Sequence, residues 1–283
     1  MKRIIFIFLT VLLSATAGAQ NWQAEFGAGI SGYSGDLTQK VIQIRSIGPS
    51  GFFNLKYQFH PQILFRTGIS WGNIGANDKN NKDSLLKRRN LSFKSNVYEF
   101  NIGLEVNLID PIEPFEVKTL PYIFGGFGLF HFDPYAFDNS GKKVFLKPLS
   151  TEGQGLREYP SRKPYKLTQL CIPFGAGVKM KISDKTESGF EILFRKTFTD
   201  YLDDVSTRYV DYNILKDQKG EKAVEMAFRS ITPAGVPLEP VTDDIRGNPS
   251  KKDLYYTIGF KLTVKLGKQK KKSTTAETST TQQ

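Results

Sequence analysis

The chain is 283 residues long, carries a formal net charge of +11 and has one cysteine, Cys171, and two histidines, His60 and His131. One cysteine excludes an intrachain disulfide and a cysteine-based zinc site. With no HExxH, GxSxG or phosphate-loop pattern, the usual catalytic signatures are missing, and no enzymatic activity, cofactor or metal is expected.

Residues 1–19 open with Lys2 and Arg3, continue through the apolar run Ile4 to Leu13 and end in Ala17-Gly18-Ala19. This is the pattern of a secretory signal peptide cut before Gln20. The run is too short to span a bilayer, and no cysteine follows the cut to carry a lipid anchor. An exported basic chain is not expected to meet nucleic acid. Its acidic partners would be lipopolysaccharide phosphates or a negatively charged protein surface, unless the excess is only a solvated face.

From Gln20 onward the apolar residues fall on every second position, the period of a strand with one greasy face. Trp22 to Ile30 is the first such row, Gly51 to Phe59 the second and Ile63 to Trp71 the third. Tyr98 to Leu108 is the cleanest, with Glu99, Asn101, Gly103, Glu105 and Asn107 between its apolar members. Tyr122 to Phe132 has aromatics on both faces, which leaves its orientation open. Leu170 to Ile182, Phe190 to Phe198 and Leu254 to Leu266 complete the set. The connections alternate between short ones (60–62, 110–119, 183–186) and long ones (about 34–46, 75–92, 133–167 and 201–252).

An even number of antiparallel strands with this alternation is the layout of an outer-membrane barrel. The expected fold is therefore all-β: an eight-stranded antiparallel transmembrane β-barrel over residues 20–266, with short periplasmic turns, long extracellular loops and both termini in the periplasm. A soluble sandwich or lipocalin-like barrel, with the apolar row turned inward, is the alternative. In the barrel, Tyr255, Lys261, Lys265, Arg66, Glu99, Glu105, Glu191 and Arg195 face the lumen, where opposite charges pair and fill it. Losing one partner should then cost about 1–3 kcal/mol. Trp22, Tyr57, Phe59, Trp71 and Tyr256 are expected in the interfacial girdles.

Four segments could carry a site. Asp200, Asp203, Asp204 and Asp211 supply oxygens for a cation but lack the spacing of a dedicated calcium loop, so a solvated or locally capping acidic segment is expected. His131, beside Asp133, could join Ser150 or Ser161 only if the fold brings them within hydrogen-bond reach; a histidine at the membrane rim is the simpler reading. Lys87, Arg88 and Arg89 lie where lipid phosphates would be. Residues 267–283, including "KQKKKSTTAETSTTQQ", form a polar low-complexity tail that cannot bury a core.

"PYIFGGFGLFHFDPYAF", "KPLSTEGQG", "IPFGAGVKMKI" and "GFEILFRKTFTDYLDDVSTRYVD" resemble the PorG-type outer-membrane β-barrels of the type IX secretion system, over most of residues 21–266. The resemblance implies an integral outer-membrane protein, without catalysis, that associates with the periplasmic ring of the PorK lipoprotein and PorN. A ring-binding surface would have to come from the periplasmic end. There "DPIEPFEVKT" holds Ile112, Phe115 and Val117 as apolar surface that something must cover. Glu113 and Phe115 are the candidate contact, with Lys268, Lys270, Lys271 and Lys272 adding electrostatic attraction. The other reading is a small barrel that binds extracellular or lipid ligands through its long loops.

Overall fold

The computed structural model describes residues 21–110, 119–239 and 241–267. Ten strands form: β1 (Trp22–Ser34), β2 (Gly48–His60), β3 (Ile63–Asn77), β4 (Ser92–Asn107), β5 (Thr119–Phe132), β6 (Tyr135–Phe137), β7 (Lys143–Phe145), β8 (Thr168–Lys181), β9 (Thr186–Thr197) and β10 (Leu254–Lys265). Eight of them close a ring of antiparallel pairs in the order β1-β2-β3-β4-β5-β8-β9-β10, with β10 returning to β1. β6 and β7 are a small hairpin inside the third long connection, joined to β4 only through Lys94 and Tyr135.

Closure leaves no unpaired strand edge, which hydrocarbon would penalise heavily. Register matches the pattern of apolar side chains. Phe26 stands opposite Phe53 on one side and Leu262 on the other, and Phe100 opposite Ile69 and Leu129. A slip of one residue would turn all of these inward and push charge into lipid.

The two faces of the wall decide between membrane and water. Phe127 is 70% exposed and Leu170 62%, whereas Glu25, Lys56 and Glu105 are fully buried inside the ring. Phe26, Ile69, Phe100, Leu104, Phe174, Phe190 and Phe260 extend the same outer belt. A water-facing surface does not sustain a continuous apolar belt around charged contents. The chain is a transmembrane β-barrel, and the soluble alternative fails. β5 resolves in the same way, with Ile123, Phe127 and Leu129 outward and Tyr122, Phe124, Phe130 and Phe132 inward.

Two inward glycines make room for the inward rings. A Cβ at Gly27 would lie 2.0 Å from the Phe52 ring, and one at Gly177 would lie 2.4 Å from the Tyr122 hydroxyl. These aromatics therefore lie flat across the wall at positions where any other residue would displace them.

The strands run past the apolar rows at the loop end, to about the bounds of the long connections: β1 reaches Ser34, β2 begins at Gly48, β3 reaches Asn77 and β4 begins at Ser92. About 9–11 residues suffice for a tilted crossing, so the surplus stands above the belt, where the loops cover it and alternation is no longer needed. Tyr256 is not a girdle residue. It is fully buried over Gly32, with its hydroxyl accepting from the Gln43 amide at 3.3 Å. The long connections also hold helices: α1 (Ser84–Arg89), α2 (Tyr212–Lys219) and α3 (Glu221–Ala227). Asp83 caps α1 through the Leu85 amide, and Asp211 caps α2 through the amides of Asn213 and Ile214.

Candidate functional site: a filled lumen under a locked loop cap

Inside the belt, four carboxylates meet five cations. Glu25 accepts from Lys56 Nζ at 2.5 Å and Asn54 Nδ2 at 2.8 Å, with Lys261 Nζ at 3.0 Å. Glu105 accepts from Lys179 Nζ at 2.7 Å and from Lys56 Nζ at 3.5 Å. Glu191 takes the guanidinium of Arg66 in a fork, at 2.6 and 3.0 Å, and the Tyr122 hydroxyl at 2.5 Å. Glu99 accepts from Arg195 Nε at 2.9 Å and from the Tyr255 hydroxyl at 2.6 Å. Arg66 also lies 4.5 Å from the centre of the Phe124 ring.

The lumen-facing assignments of Arg66, Glu99, Glu105, Glu191, Arg195, Tyr255 and Lys261 agree with this arrangement. Lys265 sits at the turn-end mouth on Glu187, at 2.9 Å. Glu25, Lys56 and Lys179, which alternate with Phe26, Leu55, Tyr57, Val178 and Met180 in the same strand pattern, complete the network. Among the described residues the interior is crowded with paired charged side chains.

The four long connections close the other end. Tyr33, Leu37, Ile74, Phe93, Phe130, Phe132, Leu202 and Val205 form a buried cluster across the barrel mouth, and α2 and α3 pack a second one on Leu156 and Val210.

A polar chain then ties all four connections together. Glu152, fully buried, accepts from Arg246 Nη1 at 2.9 Å, from the amides of Ser206 and Thr207 at 2.8 and 2.9 Å and from the Thr207 hydroxyl at 2.7 Å. Arg246 also donates to the Asp204 carbonyl at 2.5 Å. Arg89 clasps Asp78 with two bonds of 2.8 Å and donates to the carbonyls of Arg246 and Asp36 at 2.6 and 2.9 Å. The route from Asp36 to Arg89, Arg246 and Glu152 thus visits the first, second, fourth and third connections in turn.

The motif "TEGQG" is the centre of this lock. Gly153 has φ +76° and a Cβ there would meet Tyr159 and Val210 at 2.8 Å, so only glycine turns the chain tightly enough to aim Glu152 inward.

The acidic segment corrects another expectation. Asp200, Asp203 and Asp204 are buried, not solvated; the expected local capping is done by Asp211 and by Asp203, which accepts from the Val205 amide at 2.9 Å. The Tyr33 hydroxyl donates to Asp203 at 2.5 Å and lies 3.1 Å from Asp253, while Asp204 accepts from the Tyr165 hydroxyl at 2.8 Å. Among the described residues, no group of three or more His, Cys, Asp or Glu is arranged to hold a metal ion.

Burial pushes the Asp200 carboxyl up to about 7 and that of Asp204 up to about 6, and raises Asp203 and Asp253 well above the ordinary range. In the unfolded chain these groups titrate near about 3.9. Acids raised by folding stabilise the cap fully below that value, and the contribution is lost as pH rises through the folded values. Cap amides between 198 and 253 should therefore exchange with solvent several-fold faster at pH 8 than at pH 5, after correction for intrinsic rates. Asp200→Asn should flatten that difference. An equal protection at both pH values would contradict the buried-acid account.

The remaining candidates separate. His131 is exposed and pairs through Nδ1 with Thr168 Oγ1 at 2.9 Å; Ser150 is buried in the cap, and no hydrogen bond among the described residues joins His131 to Ser150 or Ser161. Lys87 and Arg88 are exposed, but Arg89 belongs to the lock and is withdrawn from any lipid. Glu113, Phe115, Lys268, Lys270, Lys271 and Lys272 lie outside the described residues, as do the signal segment and the tail from 268 on.

Residues 2–232 match the family described as "Domain of unknown function (DUF6089)". The chain belongs to this family. No curated protein matches it. Among solved structures, it is similar to Neisserial surface protein A, with 8% identity and a TM-score of 0.41 over 86% of this chain and 96% of that one. It is also similar to the attachment invasion locus protein Ail of Yersinia pestis, with 8% identity and a TM-score of 0.35 over 86% of this chain and 99% of that one. The N-terminal β-barrel domain of Pseudomonas aeruginosa OprF matches at 10% identity and a TM-score of 0.33, covering 86% of this chain and 98% of that one. This DUF6089 chain builds its eight-stranded barrel on its own lumen network and its own cap.

Proposed function

We propose that this protein is a non-enzymatic, integral outer-membrane component of the type IX secretion system that anchors or associates with the periplasmic ring of the PorK and PorN type. The observation that carries the reading is the double seal. A lumen filled by Glu25, Glu105, Glu191 and their cations, under a cap locked through Glu152 and Arg246, suits an anchor and not a conduit. The family resemblance of the segments 121–137, 147–155, 172–182 and 189–211 supplies the identity of the machine. In this reading the long connections face outward, both termini are periplasmic, and the cap protects the barrel without binding cargo.

Photo-crosslinkers at Glu113 and Phe115 in living cells, with secretion measured in parallel, test the reading. Capture of a ring component, weakened when Lys268, Lys270, Lys271 and Lys272 are replaced by glutamine, is the expected result. Secretion that is indifferent to loss of the whole chain would overturn the role. Protease cleavage of the 268–283 tail from outside intact cells would overturn the orientation. The second reading, a barrel that binds lipid or extracellular ligands through its loops, has one observation in its favour: a basic recess at the cap's base.

A further inference from the structure

That recess, of about 590 Å³, opens on the outer side of the barrel where the segment before β8 meets the segment after β9 and the residues leading into β10. Its polar rim carries Lys163, Lys166 and Lys252, all exposed, and its lower edge carries the outward side chains of Leu170 and Phe198. Leu170 is 62% exposed and Phe198 56%, so both belong to the apolar belt and mark its upper boundary. The lysines therefore stand at the depth of the headgroups.

Neither Lys163 nor Lys166 has a carboxylate partner among the described residues, and Lys252 holds only the carbonyl of Pro249, at 2.9 Å. A fourth cation, Lys196, is exposed on the outer face of β9, opposite Ile172 and Leu254, just below Phe198. A lysine on the lipid face is tolerated where its ammonium can rise to the interface. The one carboxyl lining the recess, Asp200, is 3% exposed and accepts from Ser206 Oγ at 2.7 Å. Three exposed lysines adjoining a lipid-facing apolar ledge, with the single acid buried and held by Ser206, suit an anionic amphiphile and not a soluble anion, because only an amphiphile engages both the charges and the ledge.

We infer that this recess binds the headgroup phosphate of an anionic lipid of the leaflet at the loop end, with the acyl chains descending along Leu170 and Phe198. Three lysines line this one recess, and a phosphomonoester neutralises them better than a zwitterionic headgroup does. The inference rests on the transmembrane belt and is independent of the secretion role.

Full-length protein in detergent micelles, titrated with phosphatidic acid and followed by native mass spectrometry, tests it. Dioleoylglycerol serves as the headgroup-free control and glycerol 3-phosphate as the soluble one. Expected is retention of phosphatidic acid but of neither control, with at least a tenfold loss of affinity in Lys163→Glu/Lys166→Glu/Lys252→Glu. The comparison variant Lys40→Glu/Lys79→Glu/Lys82→Glu, which changes net charge equally elsewhere on the cap, should bind as the parent does. Equal loss in both variants would reduce the effect to net charge and overturn the site. Equal retention of dioleoylglycerol, or of glycerol 3-phosphate, would overturn the phosphate or the lipid part respectively. Heat-modifiable electrophoretic mobility reports folding of each variant, so loss of the barrel is distinguishable from loss of the site. The neutral variant Lys166→Gln/Lys252→Gln, which adds no negative charge, should still bind several-fold more weakly, and parent-like binding by it would overturn the inference.

Discussion

Glu191→Ala should lower the unfolding midpoint of the barrel in urea and lipid vesicles by an amount equivalent to about 3–5 kcal/mol, the cost of leaving a buried charge without its partner. Glu191 takes both arms of Arg66, accepts from Tyr122 and stands 3.4 Å from Lys261. Its removal takes the fork from Arg66 and leaves Lys261 with Glu25 alone, in an interior already one cation in excess. That is why the expected effect exceeds the 1–3 kcal/mol expected for losing a single ordinary partner. The charge, and not the shape, should be responsible. Adding Arg66→Met to Glu191→Ala should recover much of the loss, since well-packed apolar replacement of a buried pair is often close to neutral. An unchanged midpoint in the single variant, or a large single-channel conductance in the parent, would contradict a lumen filled by paired charges.

Arg246→Ala should release the cap while leaving the barrel closed. Arg246 is 2% exposed, and its loss leaves Glu152 buried against the amides of Ser206 and Thr207 without a cation. It also removes the donor to the Asp204 carbonyl, and so loosens the fourth connection on which Arg89 closes. A local cost of about 3–5 kcal/mol follows from the uncompensated carboxylate. The measurement is protease cutting between 198 and 253 in folded, membrane-inserted protein, which should be fast in the variant and slow in the parent. Arg246→Lys should fall between the two, because it keeps a cation for Glu152 but replaces the planar, pre-organised guanidinium, whose Nη1 serves both Glu152 and the Asp204 carbonyl, with a flexible, strongly hydrated ammonium. Equal cutting of parent and Arg246→Ala would mean that the two apolar clusters alone hold the connections.

Much of the barrel is legible in the chain because a wall one residue thick between hydrocarbon and charge forces a period of two on every strand. Phe100, Ile102 and Leu104 against Glu99, Asn101 and Glu105 show it without a structure. Strand number, strand order and the inward-facing charges follow from that period and from the alternation of short and long connections. Above the membrane the constraint disappears. Tyr33 and Tyr256 are covered on the loop side, so nothing in their spacing distinguishes them from girdle residues. The acids at 200, 203 and 204 look solvated when read in line, because burial there is created by Tyr33, Tyr165 and Asp253, far away in sequence.

The sequence by itself determined the membrane-spanning wall and the sign of each face, because lipid selects side chains residue by residue and leaves its period in the chain. Only the tertiary structure decided which charges meet across the lumen, how Asp36, Arg89, Arg246 and Glu152 join four separate connections, and that Lys163, Lys166 and Lys252 share one recess. Those pairings depend on distances through space between residues up to hundreds of positions apart, and no local periodicity records them.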